Sequence, residues 1–398
     1  MSDNYRQIRI ARRHSPVLIS VVTALCCSLP LTAAILPEDR ADALFHSYDG
    51  GGVTIQGPSV LARKQVSKNT SATASYYVDS VTSASIDVVT QGSPYEEQRR
   101  EYGVSVDYLH DNTTMSVAYT DSKESDYIAK SYHYSVSHTM FGDLSTVSLG
   151  FSRGSDIVKR NNHLGDIIIS SDEVGSVDRF QYRLGWSQIL TKKLIVNLGY
   201  EIITDEGSPA ADNSLNTVLN NPYRNVSFNG SLSTPEVYPL THTSNAVGLR
   251  ALYYLPYRAA LNGEVHYFQD SWEVTSGMAN IGYTHPFKFK GEWLLDVHFR
   301  YYSQTAATFY ADNFDQELKF MARDKELSTF NSNTIGAGIS YTFPKSWWKI
   351  EKSSFTLSLN RIQFNYQDFS DFRINTATFG QPYSFTANVL QFYMSIWY

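Results

Sequence analysis

The sequence predicts an all-β protein: a transmembrane, antiparallel, up-and-down β-barrel of about fourteen strands, within an even range of about 12–16, with both termini periplasmic. Three observations carry this. Apolar and polar residues alternate with period two along most of the chain, the pattern of strands that have one apolar face. Only 18% of the 398 residues are charged while 14% are aromatic, and the mean hydropathy is −0.29. A soluble domain usually carries roughly 25% charge, and a helical membrane protein would be far more apolar. Finally, the connections between strands alternate between short and long, as the periplasmic turns and outer loops of outer-membrane barrels do.

Residues 1–34 read as a cleaved signal peptide. Arg6, Arg9, Arg12 and Arg13 form a basic start, an apolar run follows from Val17 to Leu31, and Thr32-Ala33-Ala34 resembles a small-residue cleavage site. A membrane-anchoring helix is the competing reading, but the run is shorter than the ~20 residues a span needs. Both cysteines, Cys26 and Cys27, fall here; Leu25 precedes them where a lipid anchor needs a small residue. The remainder has no cysteine, which suits an oxidising compartment and excludes a thiolate zinc site and cysteine-attached haem. Removing this segment takes away four arginines and one aspartate, so the formal charge moves from −6 to −9. An exported chain this acidic is not expected to bind nucleic acid.

Residues 35–69 are expected to form an N-terminal periplasmic or plug-like segment. Within it "VTIQGPSVLARKQV" (53–66) alternates weakly. It would make a fifteenth strand, so either it lies outside the wall or another strand is hidden. Asp49-Gly50-Gly51-Gly52 is glycine-rich but is followed by neither Lys-Ser nor a helix, so it is no phosphate loop; it suits a turn at the barrel mouth.

Residues 70–398 are expected to be the barrel, with strands at 70–82, 101–110, 113–121, 128–140, 144–153, 178–190, 193–204, 242–255, 258–270, 275–285, 291–307, 328–343, 353–366 and 384–398. Tyr102, Val104, Val106 and Tyr108 alternate with Gly103, Ser105 and Asp107; Trp293, Leu295, Val297, Phe299 and Tyr301 alternate with Asp296, His298 and Arg300. Short links fall near 110–113, 141–143, 191–193, 256–257, 286–291 and 344–352. Longer ones fall at 83–100, 154–177, 205–241, 308–327 and 368–383, with two tight hairpins near Lys123 and Trp272 among them. In 353–366 the phase slips, from Phe355, Leu357 and Leu359 to Ile362, Phe364 and Tyr366; a bulge near Asn360-Arg361 would restore both faces. The last strand, "LQFYMSIWY" (390–398), puts Phe392, Met394, Ile396 and Tyr398 on one face. A terminal alternating strand with a final aromatic is what outer-membrane proteins present to the barrel assembly machinery.

"LPEDRADALFHSYDGGGVTIQGPSVLARKQV" (36–66), "SYYVDSVTSASIDVVTQGSPYEEQRREYGVSVDYLHD" (75–111), "DSKESDY" (121–127) and "NPYRNV" (221–226) resemble an uncharacterised bacterial outer-membrane family, number 3570 among the domains of unknown function. The resemblance covers nearly the whole exported chain. It implies an outer-membrane barrel, and neighbours that include a periplasmic thioredoxin-like protein, a small lipoprotein and a flavin-transferring enzyme. It implies no activity.

The inward-facing positions include Asp107, Arg183, Glu201, Arg250, Glu264, Asp296, His298 and Arg300, and Arg183 with Glu201, Arg250 with Glu264 and Asp296 with Arg300 are expected to pair by sign. These charges either tune a pore or stiffen the wall as cross-strand ion pairs, and their balance argues against strong ion selectivity. Asp79, Asp87, Glu96 and Glu97, beside Arg99 and Arg100, contain ligand types that suit Ca²⁺, but the spacing matches no loop motif and solvated loop charge is the plainer reading. Hydrolysis would want Ser, His and an Asn or Asp on one rim; His133 and Ser135 share a face, as do Ser137 and Thr139, but in a chain with ten histidines this is unremarkable. No catalytic, cofactor or metal site is therefore expected. The expected function is a conduit for small solutes in the bacterial outer membrane, in contact with its lipid. The alternatives are a scaffold docking a periplasmic redox partner or lipoprotein and, less favoured, a barrel hydrolase.

Overall fold

The computed structural model describes residues 35–83, 95–164, 167–211, 218–221, 223–228, 232–343, 350–373 and 376–398. The expected signal peptide, 1–34, lies outside them. The strands are β1 (Arg40–Gly50), β2 (Val53–Ser67), β3 (Thr70–Ser83), β4 (Tyr95–His110), β5 (Thr113–Lys123), β6 (Tyr127–Met140), β7 (Ser145–Leu164), β8 (Ile167–Thr191), β9 (Leu194–Pro209), β10 (Asn225–Phe228), β11 (Leu232–Pro235), β12 (Thr241–Tyr254), β13 (Ala260–Asp270), β14 (Thr275–Lys288), β15 (Glu292–Gln304), β16 (Phe330–Thr342), β17 (Lys352–Ser370) and β18 (Pro382–Trp397). Sixteen of them close into one antiparallel barrel in sequence order, while β10 and β11 form a separate hairpin within the β9–β12 connection. The one helical element among the described residues is a 3₁₀ turn, Lys325–Leu327.

All fourteen expected strands are in the wall; two more complete it. Residues 35–69 are neither a plug nor a periplasmic segment. β2 pairs with β3, and the hidden strand is β1, which pairs with β2 on one side and with β18 on the other, from Arg40↔Trp397 to Gly50↔Ala387. Their outward positions explain why the pattern was faint. Ala41, Ala43, Pro58 and Ala62 carry little apolar bulk, and Phe45 and Val60 are the large residues between them. The β2–β3 ladder also skips Gly57 and Pro58: proline has no N–H to donate, and a Cβ on Gly57 would lie 1.7 Å from the Val78 carbonyl oxygen.

β1 starts, and β18 finishes, at the rim that carries the short connections, which in outer-membrane barrels faces the periplasm. There Asp111, Phe141, Asp143 and Lys290 take positive φ in tight turns, as hairpin turns that match strand twist require. At the opposite rim, the expected 154–177 loop is instead the far end of the β7–β8 hairpin, paired out to Leu164↔Ile167 with two register shifts.

Along the middle of each strand, one face is apolar and open. Val104, Val106, Tyr182, Leu184, Leu249, Val265, Ile281, Val297, Phe299 and Ile335 are each about 40–70% exposed. A continuous belt of this kind fits hydrocarbon as the outer solvent. No described helix is long and apolar enough to cross a membrane.

The expected bulge at Asn360-Arg361 is absent. β16 and β17 stay in register from Phe330↔Tyr366 to Thr342↔Ser354, and the β17 irregularity lies later, between Asn365 and Ser370. Ile362, Phe364 and Tyr366 therefore point inward and are buried. The phase slip marks the depth at which the apolar face passes from the lipid side to the interior.

Arginine in the middle of the belt should oppose insertion, whereas arginine facing the lumen should not. Val297→Arg is expected to cost about 2–4 kcal/mol, read by urea titration of the heat-modifiable folded band in lipid vesicles. Ser358→Arg, on an inward position, should fold like the parent.

Candidate functional site

The interior has two storeys. The lower one, towards the short-turn rim, is polar. All eight expected lumen residues face it, each alternating with exposed apolar neighbours: Asp107 sits between Val106 and Tyr108, Arg183 between Tyr182 and Leu184, and Asp296, His298 and Arg300 between Leu295, Val297, Phe299 and Tyr301. The expected pairs are met in part. Arg183 donates to Glu201 across β8–β9, and Gln181 Nε2 donates to the same carboxylate at 2.9 Å. Arg250 stands opposite Glu264 in register, but the close partner of Glu264 is His266, whose Nε2 lies 2.6 Å from Oε1. Asp296 does not pair with Arg300; it accepts from Thr284 Oγ1, and the carboxylate within electrostatic reach of Arg300 is Glu264. His298 and Asn360 share the space left by Gly336, where a Cβ would come within 2.1 Å of both. Small residues such as Ser116, Ser135, Gly185, Gly199, Gly338 and Thr356 complete this storey.

The other sequence candidates resolve into wall contacts. His133 Nδ1 lies 2.8 Å from Ser152 Oγ, not from Ser135, and no carboxylate is hydrogen-bonded to it among the described contacts. Asp79 is 2.6 Å from His46 Nε2. Glu97 accepts from the Ser125 N–H at 2.9 Å and from its Oγ at 3.1 Å. Arg99 donates to Glu101 and, at 3.0 Å, to Ser122. Asp87 and the Glu96 side chain lie outside the described residues. Among those described, no three ligand-type side chains gather as a metal site would need. Gly51 and Gly52 form the β1–β2 turn at the long-loop rim with φ of 60° and 78°, against the Phe385 ring.

The upper storey is a feature the sequence reading missed: an apolar cap. Tyr127, Val158 and Val177 of the wall pack with Val218, Leu219 and Tyr238 of the β9–β12 connection, with Trp272 and Val274 at the β13–β14 turn, and with Ala307, Phe309 and Ala322 of the β15–β16 connection. A second cluster gathers Phe330, Ile362, Phe364, Tyr366, Phe369 and Tyr383. Tyr310 packs against both clusters, and Tyr48 joins the second to Val53, Ile55 and Val81. The layer thus reaches from β6 round to β3. Each large side chain buried in it contributes about 1.5–3 kcal/mol. The two long connections are stitched by reciprocal backbone bonds between Val237 and Met321, both 3.0 Å.

A polar clasp locks this cap. Arg323, 6% exposed, donates to Asp312 Oδ1 and to the Ser370 carbonyl at 3.0 Å each. Its guanidinium lies over the Phe369 and Phe372 rings, 4.5 and 4.7 Å from their centroids, and its backbone N–H donates to the buried Glu236 at 2.8 Å. Arg224 pairs with Asp324 at 2.6 Å. Beside the clasp, the hydrogen bond from Arg373 holds the Asp371 carboxyl far below its ordinary value, helped by Thr378. Asp126, at the β5–β6 tip, is pushed the other way, up to about 8, by burial and by the neighbouring charges of Glu97 and Glu124. A sequence signal for the cap existed. The β15–β16 connection carries Phe309, Tyr310, Phe314, Phe320 and Met321, too much apolar surface for a solvated loop.

Residues 54–355 match the family described as proteins of unknown function, DUF3570. The chain belongs to that family. No curated protein matches it. Among solved structures, it is similar to a bacterial polysaccharide outer membrane secretin at 8% identity, covering 91% of this chain and 99% of that one with a TM-score of 0.49. It is similar to a FadL homologue of Pseudomonas aeruginosa at 9% identity, covering 92% of each chain with a TM-score of 0.41. It is also similar to the CymD monoaromatic hydrocarbon channel at 7% identity, covering 98% of this chain and 94% of that one with a TM-score of 0.44. Likenesses at such identities concern fold alone.

The raised Asp126 gives the cap a pH dependence of definite sign. A carboxyl whose folded value lies above its unfolded one stabilises the fold fully below about 3.8 and loses that contribution as pH rises through about 8. Backbone amides around 124–128 and 158–161 should lose hydrogen-exchange protection, corrected for intrinsic rates, between pH 6 and pH 9. Asp126→Asn, which mimics the neutral acid, should flatten that trend.

Proposed function

We propose that this chain is an outer-membrane conduit for small polar solutes, gated at its outer mouth by a cap made of its own loops. The observation that carries the reading is the change of lumen chemistry with depth. The lower storey is lined by Gly, Ser, Thr and Asn, with charges among them of which Arg183, Glu201 and Asp296 are bonded across strands, as suits a water-filled passage. The upper storey is a packed apolar layer held by one buried arginine. A barrel serving only as an inert scaffold has no need of a hydrated lower lumen beneath a locked lid. A hydrolase would need a carboxylate to orient His133, so the chain is proposed not to be an enzyme. The alternating β18, with Phe392, Met394 and Ile396 on its lipid face and Tyr398 after it, supports delivery to the outer membrane by the barrel assembly machinery.

Planar-bilayer recording of the refolded protein tests this. The parent should give rare openings. Arg323→Ala removes the guanidinium bonds to Asp312 and to the Ser370 carbonyl, which should cost the cap about 3–5 kcal/mol and raise the open fraction at least several-fold. Absence of single-channel current from both proteins, each shown folded by heat-modifiable migration, would remove the conduit reading.

A further inference from the structure

The lumen arginines are not all spoken for. Arg183 is bonded to Glu201 and Arg99 to Glu101. Arg179 lies 2.6 Å from Asp205 and Arg40 2.9 Å from Asp42. Arg250 and Arg300 differ: the Nε of each is buried and has no hydrogen-bond partner. The closed ladder puts them in one hydrogen-bonded row. Arg250 is opposite Glu264, Glu264 opposite Asn280, and Asn280 opposite Arg300, on four consecutive strands. Glu264 is within electrostatic reach of both guanidinium groups, yet it is also taken up by His266 at 2.6 Å. One carboxylate thus stands between two fixed cations, and the row keeps an excess of one positive charge.

The row continues through Thr334, opposite Arg300, to Ile362, which belongs to the apolar cap. The Arg300 end of the row therefore borders the cap's floor, where a solute entering from the short-turn rim would stop. Buried donors left unmade are costly, by about 1–3 kcal/mol each and more when charged. An anion arriving there repairs that deficit. A guanidinium fork matches the two oxygens of a carboxylate. The single excess charge and the presence of Glu264 both disfavour a doubly charged ligand such as phosphate.

We propose that the Arg250–Arg300 row is a binding station for small monocarboxylates at the inner face of the gate. The assignment deepens the conduit reading and rests on it, because the ligand must be able to enter the lumen. Binding of ¹³C-acetate to the folded barrel in detergent, followed by line broadening at constant ionic strength with methylammonium as control, tests it without requiring passage. The expected result is saturable acetate binding, no methylammonium binding, and a loss of affinity of about tenfold or more in the Arg250→Gln/Arg300→Gln double variant. Arg153→Gln, which removes an arginine from the outward face of β7, should bind like the parent. Should the double variant not fold, Arg300→Lys keeps the charge but not the fork and should weaken binding alone. Equal acetate binding in parent and variants, or none in the parent, overturns the proposal. Acetate binding without any current in bilayers would instead remove the conduit and leave the station; current without acetate binding would do the reverse.

Discussion

The β1–β18 seam is the contact on which the rest of the molecule depends. A strand in hydrocarbon has no water to satisfy its amides, so a sheet can live there only if it has no edge. The seam supplies that closure by pairing Arg40–Gly50 against Ala387–Trp397 without a break. Side chains reinforce it at the short-turn rim, where Ser395 donates to Asp42 at 2.7 Å and the Tyr398 hydroxyl donates to the Arg63 carbonyl at 3.0 Å. Because β1 is needed to meet β18, and β2 to meet β3, the N-terminal segment has no freedom to be a plug.

Closure also fixes which face each side chain takes, and the molecule uses that in two ways at two depths. Through the belt, apolar residues face out and polar ones face in. Above it the sense reverses: Ile362, Phe364 and Tyr366 turn inward while Arg361, Gln363 and Asn365 take the outside. Nothing in the backbone changes at that point, since the β16–β17 register is continuous. The side-chain order alone converts a lipid-facing wall into a socket, and the long connections supply the residues that fill it.

What could be read from the sequence follows from these physics. Strands with bulky outward residues, such as Leu295, Val297 and Phe299 in β15, announce themselves by alternation. β1 and β2 do not, because alanine and proline occupy much of their outer face and His46 and Tyr48 face inward on β1. Inward placement of Asp107, Arg183, Glu201, Arg250, Glu264, Asp296, His298 and Arg300 was legible for the same period-two reason. Their partners were only half legible, since register decides who stands opposite whom, and a neighbour on the same strand, such as His266 beside Glu264, can win the contact. The cap was hidden because its contacts join segments far apart in the chain. Arg323 reaches Ser370, and Val237 reaches Met321, and no local pattern encodes such pairs.

The central claim is that hydrocarbon bathes one side of each strand and water the other. Single cysteines placed in turn at Leu294 through Arg300 on β15, in a chain of residues 35–398, which contain no cysteine, test it most directly when the protein is folded in lipid vesicles and labelled with environment-sensitive and water-soluble thiol probes. The account predicts strict alternation: positions 295, 297 and 299 report lipid, and 296, 298 and 300 react with the aqueous reagent. Uniform aqueous reactivity at both sets, or uniform protection of both as in a two-sided soluble core, would contradict it.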